Sequence, residues 1–176
     1  MNLLKQLHLL KYFSHMLNYL QFLIKSTNQH GVHSPFVFQY ITKGLYSKKR
    51  FIKNLPKNMK WVLQSLQYFQ PDKVYCNSNE IKQLLKHEEL QFVDNIQDAQ
   101  IGVINYSRKE EEINIHEKIK QLTSDQLLLI ALNKYNKSFI DDLRANESIV
   151  LVIDFYYGVL ISKRKEQQKQ NFYIRF

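Results

Sequence analysis

Leu3, Leu4, Leu7, Leu10, Phe13, Leu17, Leu20 and Ile24 recur at helical spacing, and this stripe predicts a helix from Asn2 to Lys25. Lys5, His8, Lys11, His15, Asn18 and Gln21 interrupt it, so no run approaches the roughly 18 apolar residues of a membrane-spanning helix. A secretory leader would carry a purer apolar centre and small residues at a cleavage site, and neither is present. The pattern therefore predicts a helix packed on the body, with an interfacial membrane helix or a partner-docking helix as alternatives. Asn28-Gln29-His30-Gly31 ends it, with Gly31 expected as a left-handed cap. Pro35 biases Ser34 towards extended backbone. A short helix is expected from Phe36 to Leu45, then a lysine-rich linker from Tyr46 to Asn58, then a helix from Trp61 to Phe69 with Trp61, Leu63, Leu66 and Phe69 mostly on one side.

After Pro71, short apolar runs alternate with helical stretches. Lys73–Cys76, Leu90–Val93, Ile101–Ile104 and Leu127–Ile130 read as strands, and Glu80–His87 and Glu110–Leu122 as helices. Such alternation implies a parallel sheet covered by helices. Three β-rich runs close the chain: Ser148–Phe155, Val159–Ser162 and Phe172–Phe176. Tyr156-Tyr157-Gly158 between the first two favours a hairpin, so the C-terminal region should add antiparallel strands. A basic turn or short helix, Lys163 to Gln170, precedes the last run.

Length and composition narrow the picture. The 176 residues suit one domain able to bury a core without disulfides or metal clips. A single cysteine, Cys76, excludes a disulfide framework and a Cys-based zinc site, and fits a reducing, cytoplasmic compartment. The net charge of +9 favours phosphate-rich partners such as RNA, DNA or anionic lipid. The lysines are scattered, however, and no arginine-rich arm appears.

His30-Gly31-Val32-His33-Ser34-Pro35-Phe36-Val37-Phe38 is too idiosyncratic for loop filler. It resembles the N-terminal signature of one bacterial branch, typical of Bacteroidetes, of the Rossmann-like S-adenosylmethionine-dependent methyltransferases. Ile153-Asp154-Phe155-Tyr156-Tyr157-Gly158-Val159-Leu160, Lys163-Arg164-Lys165-Glu166-Gln167 and Phe172-Tyr173-Ile174-Arg175 are similar to the same branch's C-terminal part. The resemblance covers both ends closely and the middle only in pattern. It implies a reduced Rossmann-like methyltransferase sheet, mostly parallel with C-terminal antiparallel strands. Residues 1–58 would form an N-terminal helical extension and linker, and 59–176 the α/β domain. Family members are normally longer, which implies a loss of chain from the middle.

The family grips its cofactor with a Gly-rich loop after the first strand, because glycine allows close approach and positive φ. Here that strand runs into Cys76-Asn77-Ser78-Asn79-Glu80, without glycine. Asp94 is the nearest candidate for the acid that holds the ribose hydroxyls, but the chain before it looks too short, as if a strand-helix unit were deleted, and it reads as a surface residue. The fourth-strand Asp-Gly-Asn-His group aligns with Asn105-Tyr106-Ser107-Arg108, and an amide cannot act as a base. The paired aspartates of the fifth strand align with Ala131-Leu132, followed by Asn133-Lys134-Tyr135.

The expectation is thus a methyltransferase-like protein without catalysis, acting as a binding or structural subunit, with no catalytic residues, no metal and no cofactor. The alternative is a divergent but active enzyme holding S-adenosylmethionine with Cys76, Asn77, Ser78, Asn79, Asp94 and Asn105. A third reading is a basic RNA-associated protein. A protein partner could dock through the N-terminal helix. A non-enzyme predicts that Tyr75, Asn77, Tyr106 or Leu132 fills the cofactor space. His30 and His33 lack a third ligand near in sequence and read as structural, donating to a carbonyl or capping a helix. Phe36 and Phe38 are expected in the core. Asp154 reads as a structural hydrogen-bonding residue, Tyr156 and Tyr157 as core or sheet-surface aromatics, and Lys163-Arg164-Lys165 as a solvated basic turn.

Overall fold

The computed structural model describes residues 3–46, 54–86, 89–164 and 168–175. Most of the expected linker, His87, Lys165 to Gln167 and Phe176 lie outside the described residues. The chain forms an α/β, Rossmann-like fold around one seven-stranded sheet. The strands are β1 (Lys73–Cys76), β2 (Gln91–Val93), β3 (Ile101–Tyr106), β4 (Leu127–Leu132), β5 (Leu151–Asp154), β6 (Gly158–Ser162) and β7 (Gln170–Tyr173). Their order is β2-β1-β3-β4-β6-β5-β7, and β6 alone runs antiparallel to its neighbours. The β5–β6 hairpin is as expected. β7 pairs in parallel with β5 at the far edge, so β6 is the antiparallel strand of the C-terminal three.

The helices are α1 (Leu3–Lys25), α2 (Pro35–Gln39), α3 (Lys57–Phe69), α4 (Asn79–Leu84), α5 (Glu112–Gln121) and α6 (Lys137–Ala145), with a wide helical turn over Tyr40–Leu45. Leu127, Leu129 and Ala131 face one apolar layer, formed with α2, α3 and α4, while Leu128, Ile130 and Leu132 face another, formed with α5 and α6. A strand covered on both sides must be apolar at successive positions, which is why β4 reads as an unbroken hydrophobic run. α6 was not expected. Its signal is Asn136, which caps the helix by accepting from Phe139 N–H, followed by the buried stripe Phe139, Ile140 and Leu143. α4 is shorter than expected, and β5 starts late because Asn146 holds Ser148 in a turn.

The N-terminal segment shares the core of the sheet. Val37 and Tyr40 are fully buried, and Tyr40 and Ser65 share a 2.6 Å hydrogen bond. Phe36 stacks on Phe69, but Phe38 is exposed, so the anchors of this passage are Val32, Val37 and Tyr40. Gly31 is not left-handed. It is needed because a Cβ there would strike the Thr27 hydroxyl. His30 and His33 are both exposed, and the cap of their turn is Asn28, whose side chain accepts from the His30 backbone N–H. Lys163 is not simply solvated: its ammonium donates to the carbonyls of Ile119 and Leu122 at the end of α5. Arg164 lies over the Phe36 ring.

β2 returns to β3 in seven residues, 94–100, and Gln126 ties this crossover down. Its amide donates to the carbonyls of Ile96, Gln97 and Ala99, and its oxygen accepts from Thr123 N–H.

Candidate functional site

In open α/β sheets, ligands bind beyond the carboxyl ends of strands, where the strand order reverses. Here that point lies between β1 and β3. Cys76 ends β1 and is buried, and burial pushes its thiol pKa up. Asn77 reaches across the gap, its Oδ1 accepting from Asn105 N–H at 2.8 Å. Ser78 caps α4 by accepting from Ile81 N–H, and Asn79 is exposed in the first turn. Asn105 Oδ1 is buried without a partner.

The structure corrects the spacing argument about Asp94. β2 lies directly beside β1, with Val93 opposite Tyr75, and the six-residue α4 spans the connection. Asp94 therefore follows β2 and emerges beside Cys76, exposed. Of the four residues expected to fill the space, Asn77 alone bridges β1 and β3. Tyr106 and Leu132 are buried in the layer beneath α5 and α6, and Tyr75 packs against that same layer. The Tyr106 phenol donates to Glu112 and is pushed up to about 12, mainly by burial and then by that carboxylate.

The resemblance implies S-adenosylmethionine at this loop. The loop has side chains at every position, and two of them are already bonded to the fold's own backbone.

A separate cleft of about 650 Å³ opens between α1 and the exits of β3 and β4. α1 supplies Leu10, Ser14, His15 and Asn18. The strand exits supply Ser107, Lys109, Lys134, Asn136 and Lys137. Among the described residues, the formally charged side chains in this lining are lysines. Sequence reasoning passed over the cleft because its walls lie far apart in the chain.

Behind the cleft, Asp154 organises a buried polar centre. Its carboxylate accepts from Arg144 Nη2 at 2.9 Å, Tyr135 OH at 3.1 Å and Tyr156 N–H at 2.8 Å. Burial pushes the Asp154 pKa up, while the Tyr156 N–H and the Arg144 guanidinium oppose the shift. Tyr156 has φ 68°, a left-handed conformation that a bulky residue rarely holds. Its ring stacks on Tyr135 with centroids 4.5 Å apart and meets Phe22 and Tyr19 of α1. Asp154 makes the hydrogen bonds of the structural residue expected from the sequence. Gly158 follows, with the Trp61 ring pressed where a Cβ would sit.

Among the described residues, no group of three or more His, Cys, Asp or Glu is placed to hold a metal ion, and no helix is long and apolar enough to cross a membrane. No protein-family model matches the chain, and no curated protein matches its sequence significantly.

Proposed function

We propose that this chain is a methyltransferase-like protein that has given up the reaction and acts as a binding or structural subunit in the cytoplasm. The observation that carries this reading is the Asn77–Asn105 hydrogen bond, which spans the strand exits where a cofactor would enter. The antiparallel β6 inserted beside a parallel sheet supports the family resemblance. Ala131 and Leu132 offer no carboxylate at the end of β4.

Asp94 favours a second reading, a divergent enzyme that still binds S-adenosylmethionine, because it stands beside the end of β1. Isothermal titration calorimetry with S-adenosylmethionine and S-adenosylhomocysteine decides between them. The first reading expects no heat at millimolar ligand from a folded sample. Saturable micromolar binding refutes it.

A further inference from the structure

Phe22 and Tyr19 seat α1 on the body through Tyr156, yet the opposite side of the helix is not polar. Leu10, Phe13, Met16, Leu17, Leu20 and Ile24 are all exposed, Leu10 by 67% and Ile24 by 84%. At 100° per residue they occupy roughly 120° of the circumference, pointing away from Phe22. A helix with its second apolar stripe in water is incomplete without an occupant.

Two occupants compete. Pairing with a second copy would use a seam from Leu10 to Ile24, which at a 1.5 Å rise is about 21 Å long. That is two heptads, where a coiled coil needs roughly three to four, and so short a helix contact falls well below the roughly 800 Å² per partner of a stable complex. The flanking Ser14 and Gln21 also carry no charge to select a partner helix.

The charges favour the other occupant. α1 holds Lys5, Lys11 and Lys25 and no acidic residue in its 23 positions. Lys109 and Lys134 line the cleft that opens along the stripe at Leu10, and Lys137 beside them is paired with Asp141. Glu111 and Glu112, at the same strand exit, accept from Ser107, Tyr106 and Asn136 and keep their charge, so the cationic excess comes from α1 and from the chain's net charge of +9. A helix with an outer apolar stripe, several lysines and no acid has the composition of one lying in an anionic lipid interface.

We infer that α1 docks the protein on an anionic lipid surface, its outer stripe entering the acyl boundary and the lysine-lined cleft beside it facing the phosphate headgroups. The helix is too short in apolar residues to span, so the contact is peripheral.

Flotation of the full chain with vesicles of 70:30 phosphatidylcholine:phosphatidylglycerol tests this, against pure phosphatidylcholine and at low and high salt. Binding to the anionic vesicles is expected, weakened at least tenfold in pure phosphatidylcholine or at 0.5 M salt. L17E/L20E should abolish it, and K109Q/K134Q should weaken it several-fold. These positions are exposed, so the melting temperature of each variant should stay within a few degrees of the parent. Absence of binding by the folded parent protein overturns the inference, as does equal binding to both vesicle types. A dimer in sedimentation equilibrium that L17E/L20E dissociates would assign the stripe to self-association instead and overturn it too.

Discussion

Replacing Asp154 with alanine should be among the most damaging single changes in this protein. The side chain is fully buried and accepts three hydrogen bonds at 2.8–3.1 Å. Its loss leaves the Arg144 guanidinium, 12% exposed, paired only with Asp141 at the surface. It also orphans the N–H of the left-handed Tyr156. Removing one partner of a buried ion pair costs about 3–5 kcal/mol because the other charge stays buried. For a chain of this size each kcal/mol lowers the melting temperature by roughly 2–4 °C, so a fall of about 6–20 °C is expected. Asp154→Asn keeps an acceptor for Tyr156 and should cost less, about 1.5–3 kcal/mol for the lost charge-assisted bond. Urea denaturation at pH 7, with midpoint and slope fitted separately, measures both. A double-mutant cycle with Tyr135→Phe then tests whether the centre acts as a unit. If Asp154→Ala lies within about 1 kcal/mol of the parent, the buried centre is not what holds the β5–β6 turn, and the reasoning fails.

Gly158→Ala should cost about 1–3 kcal/mol through overpacking, and Trp61→Phe in the same chain should recover part of it, as read by thermal melts. Gln126→Ala removes a buried amide that serves four backbone groups, and a loss of about 2–3 kcal/mol with faster amide exchange at Ile96–Ala99 is expected. Burial holds the Tyr40, Tyr106 and Tyr135 phenols above the ordinary tyrosine range, so above pH 10 the unfolded chain loses these protons first. The native state then binds more protons, so stability falls as pH rises from 10 to 12. Absorbance at 295 nm should show these phenols, of 11 tyrosines, ionising only with unfolding. A single titration completed in the folded state would contradict this.

The inner strands were legible because they are short apolar runs whose two faces are both covered, as at Ile101–Ile104 and Leu127–Ile130. Strand partners were less so. Nothing in Phe172–Tyr173 says that its neighbour is β5 and not β6, since a four-residue strand pairs equally well either way. α6 was missed because its apolar stripe is only three residues wide, and its clearest mark is the cap at Asn136. Turns misled most. Glycine was expected where φ is positive, but the left-handed positions found are Gln70, at the end of α3, and Tyr156, held by stacking and by Asp154. Both Gly31 and Gly158 serve close approach instead. Cys76 to Asn79 follow from the end of β1, Asp94 follows β2 and Asn105 lies near the end of β3. What the sequence could not show is that Asn77 and Ser78 are occupied by backbone partners. The lysine-lined cleft draws on α1 and two strand exits, which only folding brings together.

The insertion of β6 between β4 and β5 bears on how the chain is made. As synthesis proceeds, β5 emerges before the strand that joins it to the rest of the sheet. Until Gly158–Ser162 has left the ribosome, β4 keeps an open, wholly apolar edge and β5 has no neighbour to bond to. Sheet closure then waits on β7, which brings Ile174 against Thr27 beside α1. A nascent chain stalled before residue 158 would therefore present an open, apolar sheet edge prone to wrong pairing.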